Sequence, residues 1–435
     1  MTPRQKLRLS CFTFCATVLF SCVPRPASHA SPPHGDLPPS QRLTLVETVP
    51  VGTSLKPIGR DCATIWRERI EAAGTTLDWA AFYVSTRPGS RLEPVLKAME
   101  AAAARGVRVR LLADAGFHET YPEVLDRFGE SAAIAVRLID YRSLAGGPMH
   151  AKYFVADGAE AYIGSQNTDW RSLDHIWEMG LLIRMPEIAR EVGRIFEMDW
   201  EQATPLGTDP SWAADDPYRA GPHLKDALTW PLRGNLPEGV YNVAGATASL
   251  FPAFSPRDRL GAPNQWDLPL ILNALRTAKD SVNVTCLTYN PKSRDGSYWE
   301  VLDDALRKAA TRGVRVRLMV SDWSKRRPKI DYLKSLQLVP GVEVRLVTIP
   351  RAAEGFIPFA RVIHSKFMTV DAATFWLGTG NWEKSYFFAT RNVGVLAHHP
   401  RVAGELNACF LDLWNSPYAY PVDPCADYEP PRIAR

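Results

Sequence analysis

His150-Ala151-Lys152-Tyr153-Phe154-Val155-Ala156-Asp157 returns 214 residues later as His364-Ser365-Lys366-Phe367-Met368-Thr369-Val370-Asp371. The first copy runs on to Gly164-Ser165-Gln166-Asn167 and the second to Gly378-Thr379-Gly380-Asn381, so each Asn follows its His by 17 residues. A lone His-x-Lys is uninformative, because a His on a strand is ordinarily a satisfied structural residue. The duplicate changes the balance. Burying two lysines without partners for folding alone would be costly, so the paired set reads as a site.

The repeat extends outward from these motifs. Gly106-Val107-Arg108-Val109-Arg110-Leu111 recurs as Gly313-Val314-Arg315-Val316-Arg317-Leu318 at an offset of 207, and Trp200 recurs as Trp414 at 214. In the first half the pattern predicts strands over 42–50, 77–84, 107–113, 149–156, 161–163 and 181–184. It predicts helices over 92–105, closed by Gly106, and over 186–200, with Ile188, Val192, Ile195 and Phe196 at helical spacing. The second half repeats this with a strand over 282–287 and a helix over 298–312. The expected fold class is α/β: two similar units with mixed sheets flanked by helices, packed about a pseudo-twofold. The expected boundaries are a Pro-rich linker at 31–41, a first unit at 42–205, a connecting segment at 206–265, a second unit at 266–425 and a tail at 426–435.

Residues 1–30 read as a secretory signal peptide. Arg4, Lys6 and Arg8 precede an apolar run from Leu9 to Phe20, and small residues follow up to Ala27-Ser28-His29-Ala30. The apolar run is short for a bilayer span, so no stable span is expected in the mature chain. The alternative is a lipoprotein signal with Cys22 as the lipidated residue. Arg4, Lys6, Arg8 and Arg25 account for the whole formal charge of +4, so the chain from Ser31 onward is formally neutral. Any anionic substrate must then be held by a local patch. Cys62, Cys286, Cys409 and Cys425 remain after the leader. Four cysteines allow three pairings and the sequence does not choose among them; Cys286, in a strand-like run, and Cys409, in a helix-like run, suit buried thiols. No Cys/His cluster points to a metal, and no cofactor is expected.

On a strand, residues two apart face the same way. His150 and Lys152 would share a face, as would His364 and Lys366, and a pseudo-twofold would bring the faces together. The result is one site with two imidazoles, two ammonium groups and the carboxamides of Asn167 and Asn381. That set suits a phosphodiester: Lys and Asn hold the non-bridging oxygens, one imidazole attacks phosphorus, and the other protonates the leaving oxygen. The nucleophilic ring needs a carboxylate on its far nitrogen. Glu178 lies 11 residues after Asn167, and Asn392 holds the equivalent position after Asn381. Only the first half supplies a carboxylate, so His150 is the expected nucleophile and His364 the expected acid. Asp157 and Asp371 read as structural or supporting residues. Ser165 and Thr379 read equally as phosphate contacts or turn residues. Lys325, Arg326 and Lys329, in the densest basic run, are candidate substrate contacts. Trp382 is another, and Tyr289, Phe356 and Tyr386 are further aromatics near the motifs.

Both copies resemble the signature of the phospholipase D superfamily: HxK, four residues, Asp, six residues, then Gly-Ser/Thr-x-Asn. The chain looks most similar to the animal phospholipase D3/D4-type branch. The supporting stretches are Thr76-Leu77-Asp78 running to Phe82-Tyr83, Asn167-Thr168-Asp169-Trp170-Arg171-Ser172-Leu173, Ile357-Pro358-Phe359-Ala360-Arg361-Val362 and Trp414-Asn415-Ser416-Pro417-Tyr418. The resemblance implies the phospholipase D fold and metal-independent phosphodiesterase chemistry through phosphohistidine. It also implies cleavage of single-stranded nucleic acid from the 5′ end. The animal proteins carry an uncleaved membrane anchor, whereas this leader reads as cleavable. Two other readings are a phospholipase D or phosphatidyl transferase, and a catalytically silent binding protein; complete motifs argue against the latter.

Overall fold

The computed structural model describes residues 37, 39–131, 133–213, 241–242 and 249–434. The expected signal peptide and Cys22 lie outside the described residues. The rest carries two nine-stranded sheets and two two-stranded ones, Val84–Ser85 with Thr168–Asp169 and Tyr289–Asn290 with Trp382–Glu383. Across the first, the order is Arg60–Asp61, Leu43–Thr48, Glu178–Ile183, Glu160–Gly164, Tyr153–Ala156, Thr76–Ala81, Arg108–Asp114, Ile134–Ile139 and Thr204–Pro205. Across the second, it is Tyr241–Asn242, Ser249–Ser255, Asn392–His398, Thr374–Gly378, Phe367–Val370, Ser281–Cys286, Arg315–Ser321, Val342–Val347 and Ala419–Pro421. From Leu43–Thr48 and Ser249–Ser255 onward the two lists match strand for strand. The duplication seen in the motifs therefore extends through eight of the nine strands of each sheet. Both sheets are mixed: Thr76–Ala81, Arg108–Asp114 and Ile134–Ile139 run parallel, and Tyr153–Ala156 pairs antiparallel to Thr76–Ala81. The connecting stretch placed at 206–265 contributes Ser249–Ser255, which pairs along its length with Asn392–His398.

The parallel strands are buried on both faces under helices, and not wholly apolar: in the first unit Arg110 pairs with Asp78 on the neighbouring strand and with Glu197 of helix Pro186–Glu201. Helices Cys62–Ala72 and Leu92–Ala104 pack in a core confined to the first unit; Asp267–Thr277, Val301–Thr311 and Lys329–Gln337 do the same in the second. Leu92–Ala104 and Val301–Thr311 end at Gly106 and Gly313, whose φ of 92° and 89° suits only a residue without a Cβ. A third core belongs to both units. Met149, Trp177 and Met179 meet Ile363, Phe367, Leu377 and Val393 there, beside helices Pro186–Glu201 and Pro400–Trp414. The two halves thus share one apolar interior, which fixes their relative position.

Two local expectations change. The motif strand was placed at 149–156, but regular pairing starts at Tyr153. Met149 instead bridges Arg391 in the other unit, so His150 and Lys152 lie on an extended segment between the halves. The helix expected from Tyr298 starts at Val301 because Tyr298 bridges back to Lys292. Cys62, Cys286 and Cys409 are buried free thiols, and Cys425 is free and exposed. Among the described residues, no helix is long and apolar enough to cross a membrane.

Candidate active site

The two units are stitched together beside both histidines. Met149 pairs with Arg391 and Ile363 with Trp177, each as a parallel bridge. The His150 amide donates to the Arg391 carbonyl at 3.0 Å, and the His364 amide to the Trp177 carbonyl at 2.9 Å. Trp177 and Arg391 occupy equivalent positions, immediately before Glu178 and Asn392. Each motif therefore enters the interface next to the residue of the opposite half that holds its ring.

That crossing overturns one expectation. Glu178 does not serve the histidine of its own half: its oxygens lie 3.0 and 2.9 Å from Nδ1 of His364. His150 Nδ1 meets Oδ1 of Asn392 at 3.2 Å. Sequence position pairs Glu178 with His150; the pseudo-twofold exchange reverses it. By the same reasoning that favoured His150, the carboxylate now marks His364. In both rings Nδ1 is occupied, which leaves Nε2 to react.

The two rings are in different electrostatic settings. Burial works to raise the Glu178 carboxyl, but the His364 charge and hydrogen bond, together with Lys366, hold it below the usual range. Burial and Lys366 lower His364, while Glu178 pulls the other way. His150 has no carboxylate, so burial followed by Lys152, Lys366 and His364 drives its basicity well down. Asn392 cannot turn over to change this. Its Nδ2 donates to the carbonyls of Tyr386 at 2.9 Å and Thr390 at 3.1 Å and to Ser255 Oγ at 3.2 Å, and Thr379 Oγ1 donates to its Oδ1 at 3.0 Å.

Each lysine folds back so that Nζ donates to the carbonyl of its own motif histidine, Lys152 to His150 and Lys366 to His364. Both are buried. Burial, then Lys366, takes Lys152 well below its ordinary range, and burial takes Lys366 down to about 7. Asn167 Nδ2 donates to the Tyr83 hydroxyl at 3.3 Å, and the Oδ1 atoms of Asn167 and Asn381 are buried without a protein partner. Both lysines and both asparagines are buried there, and the unpartnered Oδ1 atoms are acceptors, so the charge an anion would meet is that of the two Nζ groups.

The remaining candidates divide clearly. Asp157, at φ 53°, accepts the amides of Gly74, Thr75 and Thr76 at 2.7–2.9 Å, and Asp371, at φ 52°, accepts those of Lys279, Asp280 and Ser281 at 2.8–3.0 Å. Each holds the turn that enters a central strand. Ser165 and Thr379 are fully buried; Ser165 binds the Met179 backbone, and Thr379 accepts from the Val393 amide and supports Asn392. Their hydroxyls are engaged by the backbone and by Asn392, so they brace the site from behind. Trp382 is corrected: it is 1% exposed and packs against Trp376 in the second core. Tyr289 is likewise buried, with its hydroxyl on Asp303, and the Phe356 ring lies under Arg432. Tyr386 does border the site, edge-on to His150 with ring centres 5.2 Å apart. The basic run follows strand Arg315–Ser321; Arg326 is exposed, Lys325 and Lys329 half-buried, and Lys329 approaches Glu383 at 3.8 Å.

Sequence reasoning missed Arg391. It is buried and donates to both oxygens of Asp199 at 2.8 Å, spanning the two units, while its carbonyl holds His150. Its only sequence signal was its place before Asn392.

Two units related by a pseudo-twofold, each delivering His, Lys and Asn to one shared site, define a two-motif phosphodiesterase. Residues 66–200 and 271–414 match the family described as cardiolipin synthase, PLD-like domain, and the chain belongs to it. It is a phosphodiesterase of the phospholipase D superfamily. It is 31% identical to the 5'-3' exonuclease PLD3 of Bos taurus over 88% of this chain and 81% of that one. It is 29% identical to phospholipase D Z of Dictyostelium discoideum over 87% of this chain and 90% of that one. Its fold resembles the phosphatidylserine synthase of Haemophilus influenzae Rd KW20, with a TM-score of 0.58 and 16% identity over 82% and 85% of the two chains.

Proposed function

We propose that this chain is an exported, metal-independent 5′ exonuclease of single-stranded DNA or RNA that works through a phosphohistidine. The observation that carries the chemistry is the Glu178–His364 pair. A carboxylate on Nδ1 fixes the tautomer, leaves the Nε2 lone pair free, and stabilises the cation that forms as nitrogen bonds phosphorus. His364 Nε2 attacks phosphorus, the bond from phosphorus to the leaving oxygen breaks, and His150 Nε2–H gives that oxygen its proton. In the second step His150 takes a proton from water, the water oxygen bonds phosphorus, and the N–P bond breaks. Lys152, Lys366, Asn167 and Asn381 bind the non-bridging oxygens, where charge accumulates.

His150 must be protonated to act as acid, yet burial, followed by Lys152 and Lys366, holds its pKa well below the usual imidazole range. A phosphodiester anion between those lysines offsets their effect, so substrate raises the acid's pKa as it binds. The similarity to the bovine 5'-3' exonuclease supports nucleic acid as substrate; the similarity to phospholipase D Z supports the second reading, hydrolysis or transfer on phospholipids. The leader-like residues 1–30 support export. The test is a substrate panel with the purified protein: 5′-hydroxyl single-stranded DNA and RNA beside phosphatidylcholine and phosphatidylglycerol. Turnover of lipid alone would replace the nuclease reading with the phospholipase one.

A further inference from the structure

Four aromatic rings run away from His150 on the first unit only. Phe82 meets the His150 ring with centres 4.9 Å apart and lies 4.6 Å from Lys152 Nζ. It contacts Phe117 at 4.4 Å; Phe117 stacks on Tyr83 at 5.6 Å and 25°, and Tyr83 on Tyr121 at 4.8 Å and 22°. None of the four belongs to an apolar core cluster, and all are part-exposed. Their polar ends are pinned. Tyr83 donates to Asp169 at 2.8 Å, Arg171 donates to the Tyr121 hydroxyl at 3.2 Å, and Arg171 also binds Asp169. Rings held this way are a preformed surface rather than loose packing.

The second unit has no counterpart. Superposing the halves through strand register places Leu287 and Thr288 where Phe82 and Tyr83 stand, and Ser324 and Pro328 where Phe117 and Tyr121 stand. The loop after Arg108–Asp114 has become aromatic, and its twin after Arg315–Ser321 has become basic. Duplicated loops that diverge this way on opposite sides of a pseudosymmetric site give it a direction.

We propose that the Phe82–Phe117–Tyr83–Tyr121 surface is the subsite for the nucleobase of the leaving nucleoside. This rests on the nuclease reading above. The shelf starts at His150, the proton donor to the leaving oxygen, so a base on it is attached to the departing sugar. Phe117, Tyr83 and Tyr121 stack in series, each neighbouring pair within 25° of parallel, and a base can continue such a stack. A quaternary ammonium headgroup calls instead for rings that enclose it.

The test uses short single-stranded oligonucleotides with one abasic residue, placed on either side of the scissile phosphate. Removing the base on the leaving side should lower kcat/KM of the wild-type enzyme about ten- to a hundredfold; removing it on the retained side should cost far less. Phe117→Leu and Tyr121→Leu should collapse the ratio between base-bearing and abasic leaving groups toward one. A larger dependence on the retained-side base, equal cleavage of all substrates, or a ratio that survives both substitutions overturns the inference and leaves the nuclease reading standing. The wild-type comparison decides even if the variants do not fold. Lipid turnover with no oligonucleotide cleavage overturns the nuclease reading and this inference together.

Discussion

Glu178 of the first half bonds Nδ1 of His364 in the second, 186 residues away along the chain. The equivalent contact on the other side is neutral, Asn392 to His150. A duplicated framework thus carries one charged and one uncharged pair, and the two histidines are chemically unequal.

The covalent adduct should form on His364. His364→Ala should remove turnover by roughly a thousandfold or more, and no adduct should be trapped. His150→Ala should lose as much with an ordinary leaving group but still phosphorylate from an activated ester, which needs no acid. Mass spectrometry of acid-labile phosphopeptides from quenched enzyme distinguishes them; phosphate on residue 150 alone would reverse the assignment.

Glu178→Gln should lower the rate of adduct formation by about a hundredfold or more while leaving the fold intact, because the amide keeps the shape and removes the charge. Asn392→Asp should do the opposite for His150. A carboxylate on Nδ1 stabilises the imidazolium and raises its pKa, so the fall in kcat/KM with rising pH should move to higher pH. A profile unchanged in Asn392→Asp would show that His150 is not the acid.

The wild-type pH profile should favour acid conditions. A general acid whose pKa is depressed is protonated only below that pKa, so kcat/KM should fall as pH rises through values under the ordinary 6.5 of histidine. Bound phosphodiester raises that pKa, so the same limb in kcat should lie at higher pH. An optimum well above neutrality in both parameters would contradict this account.

Anion binding should take up protons near neutral pH. Burial brings Lys366 to about 7 in the empty site; at pH 8 it is mostly neutral, and an anion such as tungstate should draw a proton onto it. Titration calorimetry in buffers of different ionisation enthalpy reads this directly. A binding enthalpy independent of buffer would mean that neither lysine changes charge.

Activity should survive EDTA, since Lys152 and Lys366 stand where a metal would otherwise supply charge. Loss on chelation with recovery on a divalent ion would sink the proposal. The basic run should matter only for extended substrates: replacing Lys325, Arg326 and Lys329 with Ala should raise KM for long oligonucleotides. It should also flatten the salt dependence by about 0.7 logarithmic units per lost phosphate contact.

The proposed catalytic set could be named from the chain because spacing alone singled it out: two His-x-Lys motifs, each with an Asn 17 residues on, inside two copies of one α/β pattern. Strand and helix periodicity was equally local, so the doubled sheet could be anticipated. Which carboxyl or amide holds which ring could not. Residues 178 and 364 meet only because a shared apolar core sets the halves face to face and their backbones cross at Trp177–Ile363 and Met149–Arg391. Trp382 was misjudged for the same reason: its position beside Asn381 is a fact of sequence, but its burial against Trp376 is decided by packing around it. Local periodicity is written in neighbouring residues, whereas contacts across a pseudo-twofold depend on how two folded surfaces fit, and that is settled only when both have formed.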